Sequence, residues 1–129
     1  MTGTLMKLDK KQAIDRRNQQ LENPVLNADN SYFAVLDPRR NIWWFDLPVS
    51  QLKSLEWLNL LLHTPETEQL LHVKVPTSFL RARMAGVEVR NAGKRKATIS
   101  LELSADRDGF LKDMRPAGTN LGFAVFVQA

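Results

Sequence analysis

The sequence predicts an α+β fold, a mainly antiparallel sheet covered by one long amphipathic helix, in the order (α)ββαβαββ(α)β. Three observations predict it. Short runs of aromatic and branched residues are separated by turn residues. Residues 50–63 are apolar at helical spacing. There is no internal repeat and no regular alternation of strand and helix of the kind that builds a parallel sheet. At 129 residues with 43% hydrophobic and 25% charged side chains, the chain fits one globular domain that buries about two-thirds of its unfolded surface. Residues 1–30 read as a polar N-terminal arm or marginal helix, and residues 31–129 as the single α+β domain.

In chain order, residues 8–22 are good helix formers, but only Leu8, Ala13, Ile14 and Leu21 offer an apolar stripe, and Pro24 stops it. A polar helix of this kind is expected to pack loosely or to find its stability in a second subunit. Residues 32–36 and 42–47 follow as an antiparallel hairpin around Asp37-Pro38-Arg39-Arg40-Asn41, with Pro38 setting φ in the turn. Both strands are apolar on consecutive positions, so each is expected to be covered on two faces or to sit in the middle of the sheet.

Ser50 is a candidate N-cap, and Leu52, Leu55, Leu58 and Leu62 recur at helical spacing up to Thr64-Pro65. This predicts the long covering helix over residues 50–63. Residues 70–75 alternate, with Leu71, Val73 and Val75 on one face and His72 and Lys74 on the other. Thr77 or Ser78 caps a short helix through Phe79, Leu80 and Met84, closed by Gly86. Residues 87–90 and 96–103 form a second hairpin around Asn91-Ala92-Gly93. In its second strand Ala97, Ile99, Leu101 and Leu103 face in, while Lys96, Thr98, Ser100 and Glu102 face water. A single turn over residues 106–115 leads to a last strand, 121–128, with Leu121, Phe123, Val125 and Val127 on one face.

Charge is the main functional lead. Of the net +4, residues 1–80 contribute nothing, with nine basic against nine acidic groups. Residues 81–96 carry Arg81, Arg83, Arg90, Lys94, Arg95 and Lys96 against Glu88, or +5, and the remainder sums to −1. One short window therefore supplies the basic character. Four of its cations surround a tight turn, and two-stranded ribbons fit the major groove or lie along phosphates. These six residues are the candidate nucleic-acid contacts. The competing reading is a solvated ribbon tip whose charge discourages sheet-to-sheet aggregation.

Trp43 and Trp44 are neighbours and so point to opposite faces of a strand. One is expected in the core, and the other under another element, a second copy in a homodimer, or a stacked base. They are the candidate interface residues of the alternative reading, a protein–protein module.

Other chemistries find little support. There is no cysteine, which removes thiolate catalysis, cysteine-based zinc sites and disulfides. His63, Glu66, Glu68 and His72 crowd a proline-containing loop, but their spacing matches no compact metal motif. Asp106-Arg107-Asp108-Gly109 lacks the closing ligands of a calcium loop. A metal-dependent nuclease would need Glu88 and Asp46 on adjacent strands, and Arg90 cannot accept a proton for it. No glycine-framed nucleophile turn or phosphate cradle occurs. No metal, cofactor or small-molecule substrate is expected. Nor is a membrane segment, since the longest dense apolar stretch falls far short of the roughly 20 residues a spanning helix needs. The N-terminus lacks a signal-peptide core, which predicts a cytoplasmic protein.

Overall fold

The computed structural model describes residues 8–82, 89–90, 97–114 and 122–128. Its elements are α1 (Lys10–Gln20), β1 (Ser31–Val35), β2 (Ile42–Pro48), α2 (Val49–Ser54), β3 (Trp57–Thr64), β4 (Gln69–Pro76), α3 (Thr77–Arg81), β5 (Val89–Arg90) and β6 (Thr98–Ser104). Two single 3-10 turns follow, Arg107–Gly109 and Ala124–Phe126. The strands make two sheets. The first is mixed, ordered β1-β3-β4, with β1 parallel to β3; the second is antiparallel, ordered β2-β6-β5. The α+β class holds, and the single sheet under a long helix does not.

Asp9 starts α1. Its carboxylate accepts from the Gln12 backbone N–H at 2.7 Å, while the Gln12 side chain accepts from the Asp9 N–H at 3.0 Å, a reciprocal capping box. The Asn18 amide then clamps both backbone groups of Leu26, folding the chain back along the helix.

The turn expected at residues 37–41 forms. Asp37 accepts from the Arg39 N–H through its side chain and from the Asn41 N–H through its carbonyl, and Asn41 takes φ 57°. The hairpin does not. One bridge, Asp37 to Ile42, joins the two arms, after which β1 pairs with β3 and β2 with β6. Two strands that each bury apolar side chains against the same core separate into opposing layers, because that encloses both inner faces.

The expected helix over residues 50–63 is the largest correction. Helix α2 stops at Ser54, Leu55 turns extended (φ −102°, ψ 149°), and β3 begins at Trp57. Leu58, Leu60 and Leu62 point into the space between the sheets, and Asn59, Leu61 and His63 point the other way, toward α1; all six are buried. A strand covered on both faces is apolar at nearly every position, so leucines three and four apart fit a strand as well as a helix.

The main core lies between the sheets. Trp43, Phe45 and Leu47 of β2 and Ile99, Leu101 and Leu103 of β6 meet Ala34, the β3 leucines, Val73 and Val75. On the far face of the first sheet, Ala13 and Ile14 of α1 pack with Leu26 and Leu61, joined by Phe33 and Leu70. The last predicted strand is replaced by two isolated bridges, Lys112 to Gly122 and Val73 to Val127, with the 3-10 turn between them. Phe123 is fully buried and Val125 is 83% exposed, so the expected shared face does not form.

Candidate nucleic-acid interface

The β5–β6 ribbon pairs as expected, Val89 opposite Ile99 and Arg90 opposite Thr98, so residues 91–96 connect its two strands. That connection, with Lys94, Arg95, Lys96 and the turn Asn91-Ala92-Gly93, lies outside the described residues, as do Arg83, Glu88 and the helix-closing Gly86; Arg90 is described by its backbone register alone.

Beside the connecting end of the ribbon stands α2. Its first residue, Val49, donates its N–H to the carbonyl of Ala97 at 2.9 Å, immediately after Lys96 in sequence. Three residues on, the carbonyl of Leu52 accepts from Arg81 Nη1 at 2.6 Å, and the same nitrogen donates to Thr77 Oγ1 at 2.8 Å. The Thr77 hydroxyl in turn donates to the Leu55 carbonyl, just past the end of α2. A helix rises about 1.5 Å per residue, so the Arg81 guanidinium and the start of β6 are anchored within roughly one turn of each other. The end of α3 and Ala97, just before β6, are thus brought together through one short helix. Arg81 has a fold-holding duty that its charge alone does not suggest: both Nη1 protons are committed to α2 and Thr77.

Lys53, exposed in the last turn of α2, joins this end of the molecule. Sequence reasoning passed it over because it fell inside the expected long helix. Two carboxylates accompany these cations, Asp46 on β2 and Glu56 after α2. Asp46 accepts from the Ser100 hydroxyl at 3.1 Å across the β2–β6 ladder. The described side chains here, Arg81 and Lys53 against Asp46 and Glu56, are balanced in sign. Glu102 pairs with Arg40 at 2.7 Å and Asp106 accepts from the Asn41 amide at 2.7 Å.

The adjacent tryptophans divide between core and surface. Trp43 is 3% exposed, donates its indole N–H to the His63 carbonyl and meets Phe110 edge-on, which removes it from the candidate interface. Trp44, opposite Glu102, is 45% exposed on the outer face of the second sheet.

His63 and His72 are not loop residues. They lie buried in β3 and β4 beneath α1, and the described residues contain no group of three or more metal-ligating side chains. His72 is the centre of a polar chain. Arg17 Nε donates to its Nδ1 at 3.1 Å, its Nε2 lies 2.8 Å from Asn59 Oδ1, and the Asn59 amide donates to the Asn30 carbonyl. An arginine only donates, so the imidazole is neutral with its proton on Nε2. Burial, and then the charges of Arg17 and Lys74, push its pKa down to about 4.

No helix of the described residues is long and apolar enough to cross a membrane. Comparison with protein-family models, curated proteins and solved structures finds no match.

Proposed function

We propose that this chain is a small non-catalytic nucleic-acid-binding or accessory protein, contacting phosphates through the end of the molecule where the β5–β6 ribbon, α2 and α3 meet. The observation that supports it is the +5 carried by residues 81–96, whose two flanks α2 joins through Arg81 and Ala97. Arg90, Lys94, Arg95 and Lys96 are the primary contacts of this reading, with Arg81, Arg83 and Lys53 extending the field. Its signature is salt dependence, because each phosphate neutralised releases condensed counterions.

The test is fluorescence anisotropy with labelled duplex and single-stranded DNA at about 50 and about 200 mM salt, where six phosphate contacts give a log–log slope of about −5. Combined Lys94→Gln, Arg95→Gln and Lys96→Gln substitution is expected to flatten that slope by about 2 to 3. Undetectable binding at the lower salt, or binding indifferent to the triple substitution, ends the reading.

A second reading has its own observation. The exposed Trp44 ring on a sheet face fits a protein–protein contact, and a homodimer is its simplest form. Light scattering across a concentration series tests it; a concentration-independent monomer removes the homodimer.

A further inference from the structure

We infer that the docking of α1 on the first sheet is controlled by a proton: His72 acts as a latch that holds α1 only while its imidazole is neutral. The geometry carries this. Arg17 is the buried polar residue of α1, and its Nε–H points at His72 Nδ1. A protonated imidazole carries a hydrogen on both nitrogens and accepts nothing. Protonation therefore does two things at once. It turns an accepted hydrogen bond into a clash of donors, and it sets two cations against each other where water is excluded.

Among the described residues no carboxylate is bonded to the His72 ring, and Gln128 of the C-terminal segment donates its backbone N–H to the His72 carbonyl at 2.8 Å. From its own strand Lys74 adds a second positive charge, with its ammonium 4.7 Å from the centre of the Trp57 ring. From β3 the facing group is the neutral amide of Asn59. From α1, Arg17 also donates through Nη1 to Gln20. Arg16, one residue earlier, reaches the Glu68 backbone carbonyl rather than its carboxylate. Asp29 acts on Lys10 and Tyr32, at the other end of the helix.

The rest of the attachment is peripheral to the buried face: Lys10 reaches the Ala28 carbonyl, Arg16 the Glu68 carbonyl, and Asn18 the backbone of Leu26, all but the last at exposed sites. Ala13 and Ile14 are the apolar residues that α1 itself buries, and an eleven-residue helix is marginal on its own in water. When the latch opens, α1 has little reason to remain helical, and the face bearing Leu61, Phe33 and Leu70 is uncovered.

Hydrogen exchange with mass spectrometry reads this directly, comparing peptides over α1 with peptides over β6 from about pH 7 to about pH 4.5 after correction for intrinsic rates. The expected result is that α1 loses protection by up to tenfold per pH unit below about 6.5, while β6 keeps its own. His72→Gln, neutral at every pH in this range, is expected to make α1 protection independent of pH. Unchanged α1 protection in the native chain, or the same acid loss in His72→Gln, overturns the inference. Should that variant fail to fold, the proton NMR titration of the His72 ring in the native protein decides: protonation above about pH 6 with α1 still protected rejects the latch.

Discussion

The two sheets share one core but differ in what lies on their other sides. In the second sheet the outward positions of β2 and β6 hold Trp44, Asp46, Ser100 and Glu102; Ser100 is buried and donates to Asp46, Glu102 pairs with Arg40, and Trp44 is 45% exposed. In the first, the outward positions hold Asn59, Leu61, His63 and His72, all buried, with α1 laid over them. Covering a sheet on its second face changes the chemistry allowed there. The outward polar side chains of the second sheet pair two by two, Ser100 with Asp46 and Glu102 with Arg40, whereas Asn59 and His72 are tied into one longer chain of hydrogen bonds with Arg17 and Asn30. The same difference makes the first sheet sensitive to a proton and leaves the second to electrostatics at its surface.

The largest expected effect tests whether the cover over the first sheet is a true core. Leu60 and Leu61 are adjacent in β3, one facing the inter-sheet core and the other facing α1, and both are essentially fully buried. Leu60→Ala and Leu61→Ala are each expected to cost about 2 to 5 kcal/mol by urea denaturation. A loss below about 1 kcal/mol for Leu61→Ala alone would mean that α1 is a loose lid and that the two sheets are alike on their outer faces.

Next comes acid. The His72 pKa is lowered from 6.5 to about 4, so between those values the unfolded chain binds more protons than the native one. The stability associated with a neutral His72 is full above about pH 6.5 and is lost as the pH falls toward about 4, by at most about 3 kcal/mol. Urea midpoints for the native chain and His72→Gln across that range isolate the effect, since the carboxylates titrate in both. A difference that stays constant with pH contradicts a buried neutral imidazole.

This contrast also explains what the sequence revealed. The inward half of the β6 reading holds, with Ile99, Leu101 and Leu103 all buried, but of the positions expected to face water Ser100 is buried as well, and Thr98 and Glu102 are only partly open. Helix α1 was legible from its helix formers and the stop at Pro24, although the expected span of residues 8–22 is two residues too long at each end, where Asp9 caps the helix and Leu21 closes it. The turn at Asp37 was legible from Pro38 and the residues around it. Strand β3 was not, since its two apolar faces erase the period, and its parallel partner β1 lies far back in sequence. A missed cue was available in Pro65-Glu66-Thr67-Glu68, a polar turn between two apolar runs of eight residues each, with Glu68 at φ 58°. The charge window was plain in sequence, but its link to α2 passes through Arg81 and Ala97 and was invisible there. Lys53 stayed hidden for the same reason as β3. The burial of His72 under α1 was not predictable from its position in an alternating strand, because nothing local says which sheet receives a second cover.

The smallest expected effect asks how water-like the outer face of the second sheet is. Arg40 and Glu102 meet at 2.7 Å, with Arg40 55% exposed and Glu102 13% exposed. An ion pair with one partner in solvent gains little Coulomb energy, gives up side-chain freedom and is screened by salt, so Arg40→Ala is expected to cost less than about 1 kcal/mol. Because Glu102 is the more covered partner, the value should sit toward the upper part of that range, and it should shrink when the denaturation is repeated in molar salt. A cost above about 2 kcal/mol, insensitive to salt, would place Glu102 in a medium where an unpaired charge is expensive. The outer faces of the two sheets would then differ in degree only. Trp44, directly opposite Glu102 in the ladder, would have to be counted as part of a covered surface instead of an open one.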